Sequence, residues 1–497
     1  MASDVPGAQA GTRRDGLLAA GCVSAALVAS ALPLILLGVN RGRAAFDALR
    51  YHLPEIRDLV TQTGGFDLSN PLTATTPGYH LAVASLARIL PGFGEDAELG
   101  FRLLSLAVGV VLVASLGWWL GRRLGAARGS LLALPFALSP YVVASAAWNL
   151  PDDLAWLGVL LVLVLALRAS DSPARWMLVG LVTLPLVLTR QIHLWSAAVV
   201  WTAAWFGAAE PELSSRSLLG ADLRARLARL GAALAGTLPA FLAIAWFYRE
   251  WGGLTPSRFQ GDHQGPNLAT PAFVLTQFAI LGVFFAGWLW PTVRGLGRRG
   301  WAFVAAAALV GLVLAAVPET TYDTDSGRFG GWWALAKLGP EIAGRSSPAL
   351  LGLAPMGGAV VAVSLLGLPV RARLVLLAAL AGFLAAQSST SNSWQRYHEP
   401  LVLMWLALGV ALARGGPGSE AALSGPVARV WRWVGPILLS ALLGGLGVRA
   451  VMTGGAVEPG PPSPEHWSPD DPWSGTELGA DWDVGVVDGE QTRVGAP

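Results

Sequence analysis

Residues 18–38 read LAAGCVSAALVASALPLILLG, and residues 41–77 read RGRAAFDALRYHLPEIRDLVTQTGGFDLSNPLTATTP. The first run carries no charge over about the 20 residues a helix needs to cross a bilayer. The second gathers Asp47, Arg50, His52, Glu55, Arg57 and Asp58 into about three helical turns beside that span. Leu49, Leu53, Ile56 and Val60 fall at i, i+4, i+7 and i+11, one face of an amphipathic helix at the bilayer surface. So many ionisable groups beside a span predict a use for them. The expectation is the front wall of a catalytic pocket outside the membrane.

The rest of the chain agrees with a membrane class. Of its 497 residues 54% are hydrophobic and only 13% charged, with a mean hydropathy of +0.53. A soluble fold could not hide that much apolar surface, so the fold class is an all-α polytopic membrane protein. Lys337 is the one lysine among 34 basic residues. The single cysteine, Cys22, excludes an intramolecular disulfide and a cysteine-based metal site. Arg13 and Arg14 precede the first apolar run with no small-residue cleavage site after it, which predicts an uncleaved first span.

Apolar runs recur near residues 101–120, 130–147, 154–169, 176–189, 193–208, 232–248, 272–292, 301–317, 350–368, 373–388, 400–413 and 432–451. With 18–38 they predict about 13 transmembrane helices. Segment 78–91, short and led by Pro77, reads as a surface or re-entrant helix. One alternating set of loops is short and rich in arginine (Arg122, Arg123, Arg128, Arg168, Arg175, the 216–230 run, Arg294, Arg298, Arg299, Arg371, Arg373, Arg414, Arg429, Arg432). The positive-inside rule puts that set and the N-terminus in the cytoplasm. The opposite loops, 39–100, 148–153, 249–271, 318–349, 388–399 and the tail after 451, are longer and mixed or acidic, and together with the 188–195 turn on the same side they hold or border all six histidines. Residues 1–451 read as one transmembrane domain. The Pro-, Gly- and acid-rich tail 452–497 reads as a disordered outer extension.

Five outer clusters carry candidate chemistry, and each has a plain structural alternative. Asp47 with His52 and Glu55 could take a proton from an acceptor hydroxyl, or be the solvated face of an interfacial helix. In WNLPDDLAW (148–156), Pro151 opens a helix whose dipole favours Asp152 and Asp153. One of those acids could instead face Asp47. LTRQIHLW (188–195) offers Arg190, Gln191 and His193, suited to grip a phosphate, although a snorkelling arginine looks the same. The loop 248–267 holds Arg258, Asp262 and His263 among glycine and proline, in a segment that could equally be plain solvated loop. SNSWQRYHEP (391–400) sets Arg396 and His398 beside Trp394 and Tyr397, suited to a lipid phosphate or to an ordinary aromatic belt. No phosphate loop with lysine, HExxH, Cys/His metal spacing or G-x-S-x-G elbow occurs.

These outer elements, in this order, resemble the GT-C class of polytopic glycosyltransferases, which take sugars from polyprenyl-phosphate donors. Within it the chain is most similar to the α-1,2-glucosyltransferase of lipid-linked oligosaccharide synthesis. The similarity rests on Tyr51-His52-Leu53-Pro54, Thr75-Thr76-Pro77-Gly78-Tyr79, Asp152, Arg190-Gln191, Gly261-Asp262-His263 and Arg396-Tyr397. It runs through most of residues 1–413 as short motifs. The chain departs from that family in keeping one acid, Asp47, where the family has Asp-Glu, and in Pro151 and Ile192, where the family has threonine. The resemblance implies a GT-C-like bundle with surface helices in the first outer loop, and sugar transfer with inversion, without nucleotide or organic cofactor and with the metal requirement left open. It implies Asp47 as general base, with Asp152 or Asp153 positioning the acceptor or sharing that role. Arg190 and Arg396 would neutralise the departing phosphate, and His52 and His263 would bind sugar or phosphate oxygens. Glu55, Gln191, Arg258, Asp262 and His398 complete the expected substrate-binding set. The implied partners are a polyprenyl-phosphate-linked hexose, a lipid-linked or envelope glycan acceptor and membrane lipid, with no nucleic acid. The implied location is the outer face of a bacterial cytoplasmic membrane. A lipid or glycan flippase would need charges or broken helices at mid-membrane, and here the polar residues gather at one surface. A non-catalytic subunit of an envelope-building complex is the remaining alternative.

Overall fold

The computed structural model describes residues 11–63, 65–90, 97–208, 222–260, 265–413 and 425–457. Among the described residues the fold is all α, and β pairing is limited to three isolated bridges. Eight helices are long and apolar enough to cross a membrane: Arg13–Leu36, Glu98–Leu124, Leu223–Trp251, Thr270–Arg294, Arg298–Ala316, Pro348–Leu366, Val370–Gln387 and Pro426–Thr453. Helices Ala126–Ala137 and Pro140–Ala147, bent by 72°, make a ninth if they form one span. The chain is therefore an all-helical, multi-pass membrane protein.

The other apolar runs fold as shorter or interrupted helices. Asp152–Leu167 has 16 residues and Ser196–Phe206 has 11. Pro173–Leu181 and Thr183–Thr189 are separated at Val182. Gln395–Leu412 begins with Arg396, His398 and Glu399, which lowers its apolar character. The 72° bend has a local cause. Pro140 cannot continue the preceding helix, and the Ser139 hydroxyl accepts the Tyr141 N–H at 3.3 Å to start a new one.

Glycines let the helices approach. Gly357 and Gly358 put Pro348–Leu366 between two neighbours. A Cβ on Gly357 would overlap the Leu275 carbonyl of the Thr270–Gly282 helix, and one on Gly358 would overlap the Ala307 carbonyl of Arg298–Ala316. Such backbone approach replaces the hydrophobic drive that lipid removes. Arg298–Ala316 is otherwise largely uncovered, with Leu309 60% and Val310 56% exposed, a face that suits lipid.

The two ends of the bundle are tied separately. At one end Arg371 donates to the carbonyls of Gly207 (2.7 Å), Leu167 (3.0 Å), Ala166 (2.7 Å) and Arg168 (3.3 Å). These are helix C-termini whose last carbonyls have no partner inside their own helix. At the other end Trp148 Nε1 donates to Val39 O (3.1 Å), and Trp251 Nε1 to Leu68 O (2.9 Å). Asn267 there donates to Ser326 O (3.1 Å) and Ser391 O (2.6 Å). These are the loops that the sequence groups on one side.

Residues 42–61 form the expected amphipathic element, in three pieces: Gly42–Asp47, a wide π-helical turn over Ala48–His52, and Leu53–Thr61. Pro54 has no N–H to give Arg50 a helical bond, and Leu53 N–H reaches back five residues to Ala48 O. Leu49, Leu53 and Ile56 pack on Tyr79 and Val83 of the second surface helix, Gly78–Ile89. The last described residues, 454–457, pair with 40–42 through Gly42 N–H to Gly455 O (3.0 Å) and Val457 N–H to Asn40 O (2.9 Å).

The tandem glycines give a direct test. Gly357→Ala should cost about 1–3 kcal/mol, because a backbone carbonyl cannot rotate away. Gly352→Ala, in the same helix with nothing near its Cβ position, should be neutral or slightly stabilising. Thermal unfolding of the two variants in nanodiscs decides it, and equal melting temperatures would refute the close packing.

Candidate functional site

The site is built from four separate segments at one end of the bundle. Asp47 ends the first surface helix, four residues after Arg43, so both lie on one face. Its Oδ1 lies 3.3 Å from Arg43 Nε, and its Oδ2 pairs with Arg396 Nη1. Arg396 comes from the start of Gln395–Leu412 and also donates to the Tyr397 hydroxyl at 3.0 Å. Asp152, in the first turn of its helix, pairs with Arg190. Arg190 sits just past Thr183–Thr189 in extended conformation, which turns its side chain back toward the loops.

The two pairs meet on one aromatic ring. The Arg190 guanidinium carbon lies 4.8 Å from the Tyr397 ring centroid and that of Arg396 lies 4.9 Å from it. Trp394 stacks on Tyr397 at 5.6 Å and 15°, and Arg43 lies 5.5 Å from the Trp394 centroid. Three guanidiniums and two carboxylates thus share one aromatic support, with a cation–π contribution from each arginine.

His52 completes the cluster. Its Nδ1 shares a 2.8 Å hydrogen bond with His80 Nε2. Burial drives the His52 imidazole down to about 4, against the pull of Asp47 and Asp152. Burial, then the neighbouring His52, holds His80 well below the usual histidine range. Both rings are neutral at pH 7. Burial alone would raise the Asp47 carboxyl, but Arg396 and Arg43 outweigh it and hold the carboxyl below its ordinary range. With Arg43, Arg190 and Arg396 against Asp47 and Asp152, the cluster carries one net positive charge.

Five of the residues singled out in the sequence therefore come together: Asp47, His52, Asp152, Arg190 and Arg396. Three others brace the loop that follows the first surface helix. Glu55 Oε2 accepts the Leu72 N–H at 2.6 Å, and Arg258 Nε donates to Asn70 Oδ1 at 2.8 Å. Gln191 accepts the Thr76 N–H at 3.0 Å and donates to Ala74 O at 2.8 Å. Asp153 and His398 lie inside the bundle. Asp153 is beneath Asp152, beside Gly109 and Ser145, and His398 is packed between Phe273 and Phe383. Asp262 and His263 lie outside the described residues. Arg43 and His80 belong to the cluster although sequence reasoning did not place them there, and Tyr397, read in the sequence beside Arg396, supplies its shared ring. The i, i+4 spacing of Arg43 and Asp47 was a readable signal, whereas nothing local joins His80 to His52.

Among the described residues no three His, Cys, Asp or Glu side chains gather as a metal ion would require. Compared with known proteins, the chain matches no family model, no curated protein and no solved structure.

The brace at Glu55 is pH-sensitive. Burial raises its carboxyl from 4.5 to about 7, against the Leu72 hydrogen bond. A carboxyl raised on folding contributes stability below its unfolded pKa and loses it as pH rises through about 7. That shift corresponds to about 3 kcal/mol. The melting temperature in nanodiscs should fall between pH 5 and pH 8.5 in the wild type and fall less in Glu55→Gln. Identical pH profiles would show that Glu55 is not the titrating group.

Proposed function

We propose that this chain is an integral membrane glycosyltransferase of GT-C type. It moves a hexose from a polyprenyl-phosphate donor to a lipid-linked or envelope glycan, with inversion. The reaction takes place at the outer face of a bacterial cytoplasmic membrane, and the chain passes through that membrane about 13 times. One observation carries this reading. A buried carboxylate, Asp47, is held by an arginine, Arg396, that shares an aromatic ring with a second aspartate–arginine pair, and all of them stand at helix ends on one end of the bundle. The motif resemblance that names the class rests on the same residues.

In this reading the donor phosphate competes with Asp47 for Arg396. A phosphodiester carries one negative charge and matches the net charge of the cluster. Arginine forks suit its oxygens. Once released from its strongest partner, Asp47 regains basicity and can accept the proton of an acceptor hydroxyl. The hydroxyl oxygen attacks the anomeric carbon from the face opposite the phosphate. The bond from that carbon to the phosphate oxygen breaks, and its electron pair leaves with the polyprenyl phosphate. Arg190 and Arg396 then neutralise the extra charge. Asp152 keeps Arg190 in place. The nearby histidines, neutral at pH 7, offer hydrogen bonds to sugar hydroxyls.

Proton-coupled transport is favoured by one feature, the Asp153 carboxyl, which is buried inside the bundle beside Gly109 and Ser145. The two readings separate by mutation. In membranes given radiolabelled sugar on a panel of polyprenyl phosphates, Asp47→Asn should lower transfer by about 10²–10⁴-fold at unchanged expression. Tyr397→Phe, which keeps the ring, should cost less than about tenfold. Wild-type membranes that transfer from no donor, or an Asp47→Asn variant with full activity, would contradict the proposal.

A further inference from the structure

Three outer loops enclose a cavity of about 380 Å3 that the ion-pair cluster does not use. Leu268 and Pro318 give it apolar wall, Glu319 and Asp325 give it carboxylates, and Ser391 lies in its lining. The walls are fixed. Asn267 ties both the 326 and the 391 carbonyls, and a Cβ on Gly327 would collide with the Ser391 backbone. Arg328, the cavity's cation, is committed to Glu319 (3.3 Å), Asp323 (3.2 Å) and the Thr321 hydroxyl (3.2 Å). Glu319 keeps 59% of its side chain exposed, and Asp325 is exposed. One arginine against the two lining acids leaves the site at about −1, a charge that disfavours phosphate.

The cavity adjoins the cluster. Ser391 stands three residues before Trp394, and Phe329 meets Trp394 edge-on with ring centroids 6.0 Å apart. The Trp394 indole N–H has no hydrogen-bond partner among the described residues. The cavity and the arginines of the cluster are thus linked through Trp394, which touches Phe329 on one side and carries Arg396 4.5 Å from its ring centroid.

We propose that this cavity is a carbohydrate-binding subsite that holds the neutral glycan of the acceptor, one or two pyranose rings away from the hydroxyl that reacts at Asp47. Its location within the reaction rests on the glycosyltransferase reading, but its chemistry does not. A cavity of that volume sits at the low end of ligand sites, about 300–1,000 Å3, in keeping with a short oligosaccharide. Carboxylate oxygens accept hydrogen bonds from sugar hydroxyls. The charge excludes an anionic ligand, and the polar rim suits a polyprenyl chain poorly.

The test is saturation-transfer NMR on the full chain in nanodiscs. The probes are a panel of neutral disaccharides (maltose, trehalose, gentiobiose and mannobiose) and, for comparison, glucose 1-phosphate. The variant is Glu319→Gln with Asp325→Asn, at exposed positions where folding is not at risk, checked by melting temperature. The expected result is transfer to at least one disaccharide, weakened fivefold or more in the variant, and weaker transfer to glucose 1-phosphate. Silence from every disaccharide, an undiminished signal in the variant, or preference for the phosphate would each overturn the subsite. Disaccharide binding that responds to the variant in a protein that transfers no sugar would leave the subsite standing and sink the transferase reading.

Discussion

A charged group taken into an apolar bundle must bring its counter-charge with it. One end of this helical bundle is arranged around that requirement. Asp47 and Asp152 are each withdrawn from water, and each is matched by an arginine from a distant part of the chain. Removing one partner of such a pair costs about 3–5 kcal/mol, because the other is left charged and buried. The pairs therefore fix how the first surface helix, the 148–153 turn, the 190 corner and the 394–397 segment sit against each other. Tyr397 lies between them and lets two guanidiniums come close without facing each other across bare space.

The same constraint makes the cluster responsive. An aspartate bound to two arginines is a weak base, and two arginines bound to aspartates are occupied phosphate receptors. Neither half is fully available until a ligand anion takes over one side. The surrounding loops are held independently of that exchange. Glu55, Gln191, Arg258 and Trp251 all bond to the backbone of residues 68–76, and none of those bonds includes Arg396 or Asp47. The charges can rearrange while the loop stays in place.

Much of this was legible in the sequence where the rule is local. Apolar length announced the eight long spans, but it did not show where other runs among the 13 expected would be shortened or interrupted. The alternation of arginine-rich and mixed loops sorts them into the two sets that meet at opposite ends. The apolar face of Leu49, Leu53 and Ile56 found its partner in the next surface helix. What could not be read was which polar residues face the cluster and which brace it. Glu55 and Asp47 stand eight residues apart in one charged stretch, yet one binds a backbone N–H and the other an arginine. A carboxylate suits either partner, and only the path of the distant chain decides. Arg396 lies 349 residues from Asp47 and His80 lies 28 from His52, separations that no periodicity spans. The run at 130–147 marks another limit of the sequence. Hydropathy measures composition and does not register the 72° turn that Pro140 imposes.

The central claim is that Asp47 and a lipid phosphate compete for the same arginine. Binding of farnesyl phosphate to the purified protein in nanodiscs tests it most directly, measured by calorimetry for wild type, Asp47→Asn and Arg396→Gln. A charge-assisted hydrogen bond is worth about 1.5–3 kcal/mol. Asp47→Asn should therefore bind farnesyl phosphate about tenfold or more tightly than wild type, and Arg396→Gln should bind it more weakly. Asp47→Asn affinity equal to or below that of wild type would contradict the competition and reduce the Asp47–Arg396 pair to a structural tie.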